Sequence, residues 1–416
     1  AISTHLFGDT VFGIRFFASL SSCAVLLGIG RLMPQKDLLT YLLISPIFLF
    51  GSVFMTPDVP LLFFWTFYVI WLDRVNETLS HWNTDPVTRV YRSSPVGWSR
   101  WATGGVLLGL GGLSKYTMLL AIPCALAVLV TRTRIRAWWL GFCGHLAIAG
   151  ILCLPVLVFN RAHGFAPLAF QWRHAMAGGS GSLASFVASQ IVLLGALPFL
   201  LLPWVIARTR FLCADAQGQV CYLFFVLPIA FFLIQAARGP LEANWALVAY
   251  PTFWPLAQRL LQQSSFKNLG RGFVAVSFLV PLLASAALVI YVLFSPQWLS
   301  PERDRLAAMR EHYRISREAA AVVRQHPGLP LFATTYQWVS YFRFQKVDAQ
   351  QVSGVGRPSE FTLEPTDPCA QPAVLGWEKE GSQPLACFAD RQVIQTFAIR
   401  IHEHRTEGYQ LVRYAR

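Results

Sequence analysis

The sequence predicts a mostly α protein, a polytopic bundle of membrane-spanning helices followed by a small α/β domain outside the membrane. Three observations predict it. Of the 416 residues 55% are hydrophobic and only 13% charged, where a soluble chain carries about a quarter charged residues. Apolar runs recur, each near the roughly 20 residues that cross a bilayer at 1.5 Å per residue. From about Ser295 the character changes to charged and strand-like segments broken by Gly and Pro.

The first span is expected from about Val11 to Gly30, with Arg15 near its start. Leu38–Met55 and Leu61–Leu72 follow, joined by the turn Thr56-Pro57-Asp58-Val59-Pro60. A polar segment, Asp73–Arg100, leads to the short Gly-rich run Trp101–Leu113, which ends at Ser114-Lys115-Tyr116. Thr117–Val130 and Ala137–Phe159 come next, then a polar loop, Asn160–Ser182. Leu183–Ala207, Val220–Ala237, Leu241–Leu260 and Phe273–Phe294 complete a transmembrane domain of roughly ten spans over residues 1–294. The second domain, 295–416, is expected to hold a charged helix over Pro301–Gln325. Strands are expected at Leu329–Thr334, Ala373–Trp377, Gln392–Arg400 and Gln410–Tyr414. No internal repeat or low-complexity segment is evident.

Charge sets the orientation. The net charge is +13, and in a membrane protein that excess belongs to loops that stay inside. One set of alternate loops holds Arg31, Lys36, Arg74, Arg89, Arg92, Arg100, Arg132, Arg134, Arg136, Arg208, Arg210, Arg259, Lys267 and Arg271. The other holds only Lys115, Arg161, Arg173 and Arg238. The first set is expected to be cytoplasmic. The Asp58 turn, the Lys115 turn, the Asn160–Ser182 loop, the Arg238–Asn244 turn and the C-terminal domain then lie on the opposite side. Basic residues scattered singly between apolar runs argue against a nucleic-acid partner.

Four of the eight cysteines, Cys23, Cys124, Cys143 and Cys153, fall in apolar runs, where a free buried thiol is ordinary. Cys213 and Cys221 flank a basic loop without metal spacing. Cys369 and Cys387 are the two in the polar tail, and they are placed to pair if the tail faces an oxidising compartment. The chain opens with Ala1, and Ala1–Thr10 lacks the basic start and apolar stretch of a signal peptide. The expectation is that a further N-terminal piece precedes it.

The conspicuous polar residues fall on the expected outer face. Asp58, before Val59-Pro60, fits a helix N-cap or an acid lining a cavity. Lys115 fits a snorkelling lysine or a cation for a lipid phosphate, with Gly111 and Gly112 letting backbone approach a ligand. His163, Arg173 and His174 sit in a loop mixing cations with interface aromatics. Glu242 and Asn244 open an apolar run, where polar groups are costly unless paired or in a polar cavity. No Ser-His-Asp order, P-loop, metal spacing or dinucleotide fingerprint occurs. Acids, cations and aromatics on one side of a bundle suit an anionic, lipid-linked substrate.

Four stretches carry a resemblance. Thr56-Pro-Asp58-Val-Pro-Leu-Leu-Phe-Phe-Trp65, Gly109-Leu-Gly-Gly-Leu-Ser-Lys115-Tyr-Thr, Pro155-Val-Leu-Val-Phe-Asn160-Arg-Ala-His163-Gly and Glu242-Ala-Asn244-Trp245 resemble bacterial members of the dolichyl-phosphate-mannose-protein mannosyltransferase family. That group includes transferases adding aminoarabinose to lipid A. The likeness extends to Gly8–Arg15 and, more weakly, Gly356-Arg357. It implies a GT-C fold in the bacterial inner membrane, with a periplasmic active site, a periplasmic C-terminal domain, a polyprenyl-phosphate sugar donor and inversion at the anomeric carbon. Asp58 matches the family's second-loop aspartate, and Lys115 a lysine that holds the donor phosphate. Arg173 and His174 match its charged periplasmic loop loosely. The family's first-loop acidic motif has no counterpart here, and the preceding span and loop are expected upstream of Ala1.

The function expected is transfer of a sugar from a polyprenyl-phosphate donor to a lipid, glycan or protein acceptor hydroxyl. Asp58 would be catalytic. Lys115, Arg173 and Arg238 would hold the donor phosphate. Tyr116, His163, His174, Glu242 and Asn244 would line the substrate, and the participation of a divalent cation is left open. The alternatives are a transporter or flippase for a lipid-linked sugar, favoured by paired broken helices in related halves, and an inactive truncated homologue.

Overall fold

The computed structural model describes the chain outside residues 1, 9, 34–54, 85–95, 133–135, 166–167, 170–171, 173–182, 240, 263–278, 280–282, 284–285, 288, 292–299, 302–303, 353–366 and 384. The chain forms two compact units, Ala1–Ala286 and Ala287–Arg416, where the sequence places the change at residues 294–295.

The first unit is helical. α1 (Ile2–Phe7) and α2 (Val11–Leu32) are followed by α3 (Asp58–Thr84) and α4 (Trp98–Ser114). A 3-10 turn (Tyr116–Leu120), α5 (Ala121–Arg132) and α6 (Arg136–Ala162) come next. α7 (Leu183–Leu194) leads through three short helices, α8 (Ala196–Leu200), α9 (Leu202–Ala207) and α10 (Thr209–Leu212), to α11 (Ala216–Arg238). A second 3-10 turn (Ala243–Ala249) opens α12 (Tyr250–Leu261). Among the described residues, Val11–Leu32, Trp139–Ala162 and Ala216–Arg238 are long and apolar enough to cross a membrane.

α3 is the centre of the packing. Leu61, Trp65, Tyr68, Leu72, Val75 and Leu79 are each 1% exposed or less. Their spacing of three and four keeps them on one helix face. Tyr68 donates to or accepts from Nε2 of the buried His145 at 3.1 Å, and the His145 ring stacks on Trp71 at 4.9 Å.

Several boundaries differ from expectation. α3 runs twelve residues past Leu72, through Asp73 and Arg74 to Thr84, so the polar segment begins as helix. The run Leu183–Ala207 is not one span. It breaks at Gly195, whose φ of +95° is a left-handed value that favours glycine, and Pro198 and Pro203 open the next short helices. Leu241–Leu260 is split likewise, its first third being the tighter 3-10 turn before Pro251. Leu38–Met55 lies almost wholly outside the described residues, as does most of Phe273–Phe294.

Gly105, Gly109 and Gly112 of α4 pack against α6, while Gly111 packs against Met118 of the 3-10 turn. A Cβ on Gly105 would lie 2.6 Å from the carbonyl oxygen of His145, on Gly109 2.8 Å from Leu152, and on Gly112 3.0 Å from the Cys153 sulfur. Small residues let backbones approach where no water drives association. Gly105→Ala should therefore force α4 off α6 and cost about 1–3 kcal/mol. Gly150→Ala, where a Cβ meets nothing within 4 Å, serves as the control. Thermal unfolding in detergent should separate the two variants clearly, and equal midpoints would contradict this packing.

The second unit carries a five-stranded sheet in the order β2-β1-β3-β5-β4. Its strands are β1 (Leu331–Ala333), β2 (Ala349–Gln351), β3 (Ala373–Lys379), β4 (Asp390–Ile401) and β5 (His404–Ala415). β1 pairs in parallel with β2 and β3, while β3, β5 and β4 are antiparallel. α13 (Arg305–Val323) and α14 (Tyr336–Phe344) pack with the sheet around buried Trp338, Phe342 and Trp377. The sequence foresaw α13 and four strands, but neither α14 nor β2. Cys369 and Cys387 are joined in a disulfide.

The β4–β5 hairpin turns on His402 and Glu403, both left-handed, with φ of 49° and 66°. His402 is held there by Asp304, 2.9 Å away, which also caps α13 through the Ala307 amide at 2.8 Å. Burial alone would raise the Asp304 carboxyl, but the hydrogen bonds it accepts hold it below the usual aspartate value. A depressed folded-state value stabilises above the unfolded one, near 3.9, and that stability is lost as pH falls through the folded value. Amide exchange in the first turn of α13 should accelerate as pH drops below about 4. In Asp304→Ala, which removes the cap acceptor, it should already be fast at neutral pH; slow exchange there would remove Asp304 from this role.

Candidate functional site

Asp58 is the first residue of α3, and its side chain does not cap the helix. The first-turn bonds are made by backbone, Val59 N–H to Thr56 O at 3.1 Å and Leu61 N–H to Pro57 O at 3.3 Å. Each carboxylate oxygen instead accepts from another part of the chain. Lys115 Nζ donates to Oδ1 at 2.6 Å and Asn244 Nδ2 to Oδ2 at 2.7 Å. The Asp58 side chain is 9% exposed and that of Lys115 22%, so Lys115 is not snorkelling into water either.

Local structure explains the convergence. α4 ends at Ser114, and Lys115 takes an extended conformation (φ −161°, ψ 140°) before the 3-10 turn. That break turns its side chain back toward the start of α3. Asn244 sits in the 3-10 turn after α11, whose opening residue Glu242 provides no side-chain cap.

Asn160 forms a second layer. It is 1% exposed and lies at the end of α6. Its Nδ2 donates to Val156 O at 2.8 Å and approaches the Tyr116 hydroxyl at 3.5 Å, while its Oδ1 accepts from the Leu168 amide at 3.2 Å. It thereby ties the start of the following loop to the residue next to Lys115.

The structure brings together Asp58, Lys115 and Asn244, with Tyr116 beside them. Other candidates stand apart from that contact. His163 turns back on its own helix, its Nδ1 2.8 Å from Phe159 O. Arg238, in the last turn of α11, and Glu242 are exposed, and neither side chain has a partner among the described residues. Arg173, His174 and Arg357 lie outside the described residues. Among the described residues no three His, Cys, Asp or Glu side chains converge as a metal site. Sequence reasoning missed Gln190 and Tyr250, which support the Asn244 turn. The available signal was a lone amide inside the apolar run Leu183–Leu194.

Among the described residues, Arg31, Arg74 and Arg100 of the richer loop set gather around the second half of α3. Trp71 Nε1 donates to Arg100 O at 2.6 Å, Arg100 reaches Thr78 at 3.2 Å, and Arg259 pairs with Asp215 at 2.6 Å. Asp58 opens α3 and Arg74 lies in its second half, about 24 Å further along at 1.5 Å per residue.

A buried ion pair is weak support for stability, because desolvation offsets much of its Coulomb gain. Its presence in an apolar bundle points to use. Lys115 has three N–H donors and spends one on Asp58, so it can still meet an anionic oxygen. Asp58 offers a carboxylate held in one orientation. The pair can accept a proton at one point and neutralise negative charge a few ångströms away.

No family model matches the chain. Among curated proteins it is 25% identical over 229 residues to the lipid A galacturonosyltransferase RgtD of Rhizobium johnstonii. That match covers 53% of this chain and 47% of RgtD, so the chain spans about half the length of this relative. Among solved structures, ArnT from Cupriavidus metallidurans in the apo state superimposes with a TM-score of 0.58 at 14% identity. The superposition covers 99% of this chain and 85% of ArnT. The shared fold is that of a polytopic helical membrane protein with a C-terminal domain.

Proposed function

We propose that this chain is a membrane glycosyltransferase that moves a sugar from a polyprenyl-phosphate donor to an acceptor hydroxyl on the periplasmic face of a bacterial inner membrane. The observation that carries this reading is the Asp58–Lys115–Asn244 constellation, in a chain related to a lipid A glycosyltransferase. The acceptor oxygen attacks the anomeric carbon, the carbon–phosphate oxygen bond breaks, and the lipid phosphate leaves with both electrons. Lys115 meets the charge that develops on that phosphate. Asp58 receives or orients the acceptor proton. Asn244 keeps the carboxylate turned toward it. Arg238 and Glu242, exposed and unpaired among the described residues, are assigned to the outer part of the substrate path.

Two observations support the orientation. The described basic residues Arg31, Arg74 and Arg100 gather away from Asp58, as those of cytoplasmic loops do. The Cys369–Cys387 disulfide suits an oxidising compartment for the second unit.

The test is the protein in proteoliposomes given a radiolabelled polyprenyl-phosphate sugar with lipid A, glycan and peptide acceptors. Label joining an acceptor supports the transferase. Label crossing the bilayer with its phosphate bond intact replaces it with a transporter.

A further inference from the structure

Asn244 reaches Asp58 from a turn that has little internal support. A 3-10 turn has poorer hydrogen-bond geometry than an α-helix, and its opening residue Glu242 gives no side-chain cap. The support comes from α7. Gln190, 4% exposed, donates from Nε2 to the Ala243 carbonyl at 3.1 Å and to Ser189 Oγ at 3.0 Å. Its Oε1 accepts from the Tyr250 hydroxyl at 2.6 Å, and Tyr250 is itself 1% exposed. Ala243 is the first residue of the turn and Tyr250 the residue just past its last. One amide therefore grips both ends of the segment, and Asn244 follows directly after the gripped carbonyl.

An amide inside an apolar helix is costly even when paired. Leucine would serve packing between Phe186 and Leu194 as well. The residue that accepts this cost acts on something polar, and what it touches is the frame of Asn244.

We propose that Gln190 is a positioning residue of the site: with Tyr250 it clamps the turn Ala243–Ala249 so that Asn244 holds the Asp58 carboxylate in one orientation. The kinetic part of this inference rests on the transferase reading, and the structural part does not. Lys115 reaches Asp58 from a different segment, so the clamp bears on the carboxylate and not on the phosphate-binding cation.

The test uses the protein in proteoliposomes and two readouts. The first needs no substrate. A lipid-soluble carbodiimide adds to carboxyl groups, and a carboxylate that loses a hydrogen-bond donor is freer to meet the reagent. Labelling of Asp58, followed by mass spectrometry, should speed up about tenfold in Asn244→Ala, the size of one charge-assisted hydrogen bond. It should speed up by a similar factor in Gln190→Leu, and no further in the double variant. Gln190→Glu keeps the acceptor for Tyr250 and loses the donor to Ala243, so it should behave as Gln190→Leu does. Tyr250→Phe removes one small group and gives the same arms if Gln190→Leu fails to fold.

The second readout is donor turnover, where kcat should fall about tenfold while KM for the donor stays unchanged. Asp58 labelling at the parental rate in Gln190→Leu, or a further rise when it is added to Asn244→Ala, overturns the clamp. Labelling that follows this cycle in a protein that transfers no sugar overturns the transferase reading and leaves the clamp standing.

Discussion

Lys115→Ala is expected to lose about a hundred- to a thousandfold in donor turnover, the usual consequence of removing one electrostatic contact to a leaving group. Lys115 is the cation in hydrogen-bond contact with Asp58, and no second described cation stands there to replace it. Folding has to be separated from chemistry. Removing the lysine leaves a carboxylate that is 9% exposed with Asn244 as its one remaining side-chain partner among the described residues, and breaking a buried pair from one side is strongly destabilising. The pair here is open on the lysine side, which reduces that penalty. Lys115→Met combined with Asp58→Asn removes both charges at once, so it should fold as the parent does and still fail to turn over donor. Turnover in Lys115→Ala within about threefold of the parent, well short of the electrostatic loss, would take this residue out of the site.

Asp58→Asn is expected to lose about a hundred- to ten-thousandfold, the range of general acid–base catalysis. The substitution keeps shape and an oxygen for Asn244 while removing the charge. It should insert and fold nearly normally. The lysine left behind is 22% exposed and hydrates more readily than the 9% exposed aspartate left by Lys115→Ala. The two variants should therefore differ in stability in that order, measured by thermal unfolding in detergent. Full activity in Asp58→Asn would falsify a catalytic role and leave Asp58 as an anchor for Lys115.

Much of the constellation was legible in the sequence. Asp58, Lys115 and Asn244 each stand at the end of an apolar run, where a polar residue is conspicuous. Pro57 and Pro60 beside Asp58 mark a helix start. The choice between cap and site for Asp58 was not legible. An aspartate before Val-Pro has the same appearance in both cases, and the difference is which donor lies nearest in space. The glycines of α4 misled for a similar reason. Close approach is all that Gly requires, and the sequence does not say that the neighbour of Gly112 is Cys153 on α6 and that of Gly111 is Met118. Gln190 went unnoticed because a single amide in an apolar run has no partner in sequence.

α14 and β2 were missed because Tyr336–Phe344 and Ala349–Gln351 are short. Elements of that length are set by the sheet and core they complete and not by their own periodicity. The broken run after Leu194 was signalled by Gly195 and Pro198, but hydropathy alone outweighed them.

Run length and composition on their own determined that the chain is a helical bundle in lipid with a polar domain after it, because how many consecutive residues are apolar is a property of sequence order. The charge pattern likewise sorted the loops into two sets without any contact being known. Tertiary structure alone decided that residues 57 and 186 positions away from Asp58 meet on its two oxygens. Such a meeting depends on the rotation of each helix about its axis and on where each one stops, and these follow from packing across the whole bundle.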